Sequence, residues 1–128
     1  MDARILTAVA AGGALGSVAR YLVMVLMGAW LGGGFPFGTL AVNLLGGFLL
    51  GGLIELMALS WSATQETRAF LVVGVLGGFT TFSTFSMDIF VLVERGDGLG
   101  AALYVAASVG LGLAAFFAGL AVVRALLA

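Results

Sequence analysis

Arg68-Ala-Phe-Leu-Val-Val-Gly-Val-Leu-Gly77-Gly-Phe-Thr-Thr-Phe-Ser-Thr-Phe-Ser86-Met-Asp-Ile-Phe-Val-Leu-Val93 is the stretch that decides the fold. It exceeds the roughly 20 apolar residues that carry a helix across a hydrocarbon core. Its middle is unusual for such a span. Gly77 and Gly78 stand beside Thr80, Thr81, Ser83, Thr84 and Ser86, where hydrocarbon is deepest. Paired glycines weaken a helix, and Ser and Thr bond back to its carbonyls and bend it. The pattern predicts a membrane helix broken near the membrane centre. Freed carbonyls are costly in lipid and must meet protein, water or an ion. The alternative is an ordinary packing face softened by hydroxyls, which leaves Phe79, Phe82 and Phe85 at three-residue spacing unexplained.

Working outward, the other apolar runs make this the third of four spans, at about 5–30, 37–59, 68–93 and 99–127. The breaks are Gly32-Gly33-Gly34-Phe35-Pro36, the segment from Ser60 to Arg68, and Glu94-Arg95-Gly96-Asp97-Gly98. Gly and Pro punctuate the first, and Trp61 is an interfacial ring in the second. Short loops predict antiparallel neighbours in sequence order. The expectation is an all-α integral membrane protein, one four-helix domain over 1–128, with nothing sizeable outside the bilayer. The run from Ile5 is too long for a signal-peptide core and lacks a basic leader. Arg4, Arg68 and Arg124 share one side and Arg95 the other, a weak bias toward cytoplasmic termini.

Composition supports this. Hydrophobic residues make up 62% and charged residues 9%, against about a quarter charged in soluble domains. The 21 glycines show no period of three and suit close helix packing. Pairs four apart recur at Gly12/Gly16, Gly47/Gly51, Gly74/Gly78 and Ser108/Gly112, read as packing faces. The net charge of −1 offers no basic stripe for nucleic acid. Without Cys or His there is no disulfide, thiolate nucleophile or imidazole ligand. No general acid–base pair is visible, so an enzyme is not expected.

Depth sorts the remaining polar groups. Measured from the side of the first and third loops, Arg20 lies about 15 Å deep, Asn43 about 10 Å, Ser108 about 14 Å, Phe85 about 13 Å and Phe82 about 18 Å. Thr39 and Asn43 share a face of span 2, and Tyr104 and Ser108 share a face of span 4. Donors from several helices at one depth form a polar track. Hydroxyls and an amide suit an anion, and an aromatic edge is electropositive and can face one. Arg20 is the one cation far from either interface. It either serves that track, snorkels or pairs with Asp88. Glu55, near the end of span 2, is expected to snorkel.

The string Gly77-Gly-Phe-Thr-Thr-Phe-Ser-Thr-Phe-Ser86 resembles the signature of the Fluc, or CrcB, fluoride channels. Gly12-Gly-Ala-Leu-Gly-Ser-Val-Ala-Arg20, Gly38-Thr-Leu-Ala-Val-Asn-Leu-Leu-Gly-Gly47 and the overall size agree. The resemblance implies a passive channel of the bacterial inner membrane that expels toxic fluoride. It implies an antiparallel, dual-topology homodimer with two pores along the subunit interface. Phe82 and Phe85 would be the pore rings, Asn43 the amide beside them, and Tyr104 and Ser108 the start of the track. Thr39, Ser83 and Thr84 would be further pore hydroxyls, and Arg20 would make a vestibule electropositive. Gly112 stands where relatives can carry another hydroxyl. Backbone carbonyls of Gly77 and Thr80 from both subunits would hold one structural Na⁺. The competing reading is a small proton-coupled multidrug exporter, which needs a membrane-embedded carboxylate in an aromatic cage; only a shallow Glu55 could be nominated. A non-transporting assembly subunit is a third reading.

Overall fold

In lipid a chain must satisfy its backbone internally, and long apolar runs do so as helices. The computed structural model describes residues 1–128 and is all-helical. Helix α1 runs Ala3–Leu31, capped by the Asp2 carboxylate, which accepts from the Arg4 amide at 2.8 Å. Gly32, at φ 77°, turns the chain out of it. Helix α2 (Phe37–Leu59) starts directly after Pro36. The third span begins with α3 (Gln65–Arg68), continues as a π-helical stretch over Ala69–Leu76, and returns to α geometry in α4 (Gly77–Phe79). Thr80 is extended, at φ −87° and ψ 160°. Helical structure resumes in α5 (Ser83–Glu94). Gly96 turns at φ 78°, and Asp97 caps α6 (Gly98–Leu127) through the Gly100 amide at 2.8 Å.

Four segments are long and apolar enough to cross a membrane: Ala3–Leu31, Phe37–Leu59, Gln65–Glu94 and Gly98–Leu127. They start and stop within one turn of the sequence boundaries. Only 15 of 128 residues are buried within the chain, and leucines, valines and phenylalanines cover its outside. That surface is incompatible with water as the main solvent.

The tightest packing joins alternate spans, while spans adjacent in sequence are also in contact, as the short loops lead one to expect. Span 1 lies along the first half of span 3, and α2 lies along α6. Each pair runs parallel. A Cβ at Gly12 would strike the Phe70 carbonyl, and one at Gly16 the Val75 carbonyl. From the other side, a Cβ at Gly74 would come within 2.8 Å of the Gly12 Cα, and one at Gly78 within 2.8 Å of the Gly13 carbonyl oxygen. On the second pair, Gly51 meets the Phe116 carbonyl and Gly119 the Phe48 carbonyl. Small residues let these backbones touch, and packing between backbones is what lipid rewards. Three of the four glycine-containing pairs thus face a neighbouring helix. Gly112 differs, because a Cβ there would meet nothing within 4 Å.

Candidate functional site: a polar cleft at the interruption of the third span

The interruption leaves backbone groups that need partners, and two other helices supply them. From α2, the Asn43 side-chain nitrogen donates to the Thr81 carbonyl at 3.0 Å, while its side-chain oxygen accepts from the Thr81 amide at 2.8 Å. From α1, Arg20 Nε donates to the Gly78 carbonyl at 3.0 Å. The Thr80 amide and hydroxyl both donate to the Leu76 carbonyl at 3.0 Å. The Thr81 hydroxyl accepts from the Thr84 amide at 3.2 Å and caps the restart of the helix. No hydrogen bond of the chain ends on the carbonyls of Gly77 or Thr80. Gly77 is exposed on the surface of the single chain.

Beside this segment lies a cleft of about 300 Å³, lined by Asn43, Thr80, Thr81, Phe82, Phe85 and Ser108, with Val109 at its edge. The two rings lie 5.6 Å apart between centroids, and Phe85 lies 5.1 Å from the Tyr104 ring. Phe85 is half-buried against the core of Leu92, Ala101 and Tyr104, whereas Phe82 is 78% exposed. Ser108 contributes a buried hydroxyl with no hydrogen-bond partner. An unmatched donor of that kind is costly unless something completes it.

Tyr104 is fully buried, and its hydroxyl donates to Asp88 Oδ2 at 2.9 Å. Thr39, also buried, lies beside that hydroxyl. A second cavity of about 300 Å³ includes Thr39, Thr84, Asp88 and Arg95. Arg95 is tied across the loops to the Gly33 and Gly34 carbonyls, at 3.4 and 2.9 Å. Ser83 is exposed, its hydroxyl 3.3 Å from that of Thr81. Of the residues named from sequence, Asn43, Thr80, Phe82, Phe85 and Ser108 therefore converge on one cleft. Thr39 and Thr84 line the adjoining cavity with Asp88, which Tyr104 reaches from the core. Ser83 and Arg20 line neither.

Two sequence expectations change. Arg20 does not pair with Asp88, because the acid is engaged by Tyr104 and the cation by a backbone carbonyl. Glu55 does not snorkel: its side chain is 8% exposed and meets Arg124 at 2.9 Å, tying α2 to α6. Asn43 reaches the ring layer, where its oxygen and one N–H are engaged by Thr81. Thr81 is the cleft position that the sequence reading left unassigned. The available signal was an amide on span 2 at the depth of broken backbone, since such backbone must find a partner.

The sequence model of the family described as CrcB-like protein, camphor resistance (CrcB), matches residues 7–120. A protein named fluoride-specific ion channel FluC from Nitrobacter winogradskyi is 56% identical over 117 residues, covering 91% of this chain and 93% of the relative. The namesake from Rhodospirillum centenum is 55% identical over 121 residues, covering 94% and 96%. That from Rhizobium meliloti is 52% identical over 118 residues, covering 92% and 94%. With a match of this extent, and four helices built for lipid, the chain is a multi-pass membrane protein and belongs to the CrcB-like family.

Proposed function

We propose that this chain is a passive fluoride channel, and no enzyme, that lets fluoride leave the cytoplasm across the bacterial inner membrane. Its relatives carry the name of a fluoride-specific channel. The observation that carries the reading is the Ser108 hydroxyl, buried and unpartnered in the same cleft as Phe82 and Phe85. A hydroxyl donor and aromatic edges complement a small anion and offer a cation little. Conduction needs such contacts to be strong enough to admit the ion and weak enough to release it. An interior-negative membrane supplies the driving force, about 2.3 kcal/mol per charge for each 100 mV. The exporter alternative loses its acid, because Arg124 already neutralises Glu55.

The functional unit in this reading is an antiparallel homodimer with two pores along the interface, and the interrupted span lies near the membrane centre. The exposure of Phe82 and Gly77 in a single chain supports a partner over that face. Tyr104, Ser108, Thr39, Ser83 and Thr84 supply hydroxyls along the path, and Arg20 adds positive charge toward one vestibule. The carbonyls of Gly77 and Thr80 fit a hard monovalent cation, since they are neutral oxygens with no internal partner. Na⁺ bound by both subunits would join the two interrupted spans.

The test is fluoride efflux from liposomes holding the purified protein, compared with chloride. Fluoride release without ATP or a proton gradient, with chloride far slower, is expected. Equal rates for the two anions overturn the selectivity. For the cation, dimer stability is expected to rise with Na⁺, and indifference overturns that part alone.

A further inference from the structure

We propose that Asn43 is a positioning residue for the cation: it aims the Thr80 carbonyl through the Thr81 peptide. The inference rests on the sodium reading above. The peptide bond between Thr80 and Thr81 is one rigid plane, with its C=O and N–H on opposite edges. No cis bond occurs in the chain. Asn43 accepts the Thr81 N–H at 2.8 Å from the α2 side. The Thr80 carbonyl must therefore point away from α2. The second bond, from Asn43 to the Thr81 carbonyl at 3.0 Å, fixes the next peptide plane as well. One amide thus sets two successive planes where the helix no longer does.

The same contacts decide which carbonyls remain. Asn43 consumes that of Thr81, and Arg20 consumes that of Gly78. Leu76 is taken twice by Thr80. The carbonyls of Gly77 and Thr80 are among those these contacts leave free. An amide with its oxygen and one N–H engaged has a single N–H left for an anion. Ser108, by contrast, has its whole hydroxyl available. Geometry therefore gives the two residues different work, although both line one cleft.

The experiment compares wild type, Asn43→Ser and Asn43→Asp in detergent. Thermal unfolding is titrated with NaCl at constant ionic strength, balanced by N-methylglucamine chloride. Fluoride half-saturation is measured separately in bilayers, and exchange of the Thr81 amide by NMR. Residues that orient metal ligands typically change metal affinity about 10–100-fold when altered. Asn43→Ser is expected to raise the Na⁺ midpoint by about tenfold or more and to speed Thr81 exchange. Fluoride half-saturation should move less than the Na⁺ midpoint. Asn43→Asp keeps the acceptor for the Thr81 N–H and should stay closer to wild type in Na⁺ than Asn43→Ser. A larger shift for fluoride than for Na⁺ overturns the proposal and makes contact with the anion the main work of Asn43. A sodium-dependent wild type whose midpoint Asn43→Ser leaves in place overturns only the role of Asn43. A wild type indifferent to Na⁺ overturns the sodium reading, and this role with it.

Discussion

Phe82 and Phe85 are three residues apart in the sequence and belong to different environments. Phe85 is wedged between Tyr104 and the core of Leu92, while Phe82 stands almost bare on a single chain. Replacing either ring by isoleucine removes an electropositive edge, so both changes should lower fluoride flux in liposomes. They should separate in stability. Phe85→Ile disturbs internal packing and should cost about 1 kcal/mol in thermal unfolding, whereas Phe82→Ile should leave the fold of the single chain intact. Full flux after either change would make the rings packing side chains. The sequence showed both rings through their spacing and the hydroxyls between them. It could not show their unequal burial, because that depends on α6 bringing Tyr104 against one ring only. Glu55 carries the same lesson. Its depth was readable, but Arg124 lies 69 positions away, and nothing local announces the pair.

At the scale of helices, glycine faces set the architecture. Gly16→Val should be severe, because its side chain would enter the Val75 carbonyl and the Phe79 amide. Overpacking against backbone costs about 1–3 kcal/mol or more. Gly13→Ala is the matched control. Its methyl would meet nothing within 4 Å, and helix propensity favours it by about 1 kcal/mol. Thermal midpoints in detergent compare the two, and equal loss would refute the glycine interface. The Glu55–Arg124 bridge is testable by a cycle. Arg124→Ala leaves a buried carboxylate alone, so adding Glu55→Gln should recover stability. Helix positions were legible because apolar runs and Gly/Pro breaks are local signals. The pairing of alternate spans was not, since four-residue glycine spacing names a face but not the face it meets. The π-helical turn over Ala69–Leu76 likewise has no local signature that we can identify.

For the molecule as a whole, the small buried core and the apolar exterior suit lipid, and they leave room for the proposed second copy. Cations give little orientation: Arg4, Arg68 and Arg124 oppose Arg95. The chain has no cysteine, so single cysteines can be placed in a loop without further changes. An impermeant thiol reagent should then label one population from both sides of the membrane, as an antiparallel dimer requires. Labelling from one side only would exclude that dimer in that membrane. Residue types supported a polar, anion-suited path. They could not choose fluoride, which the proposed function takes from the names of the relatives.

The parallel pairing of span 1 with span 3, and of α2 with α6, also bears on biosynthesis. Spans leave the translocon in order, so the first hairpin enters the bilayer before either member has its tightest neighbour. Gly12 and Gly16 wait for Gly74 and Gly78, some sixty residues behind them in synthesis. Gly51 waits for Phe116, almost at the end of the chain. The two early spans must stay separate enough to admit later ones, so neither pair can close as a finished half. Contacts this distant in sequence slow assembly. A ribosome stalled after the second span would leave two helices with uncovered glycine seams, a form that membrane quality control could distinguish from the completed protein by those seams alone.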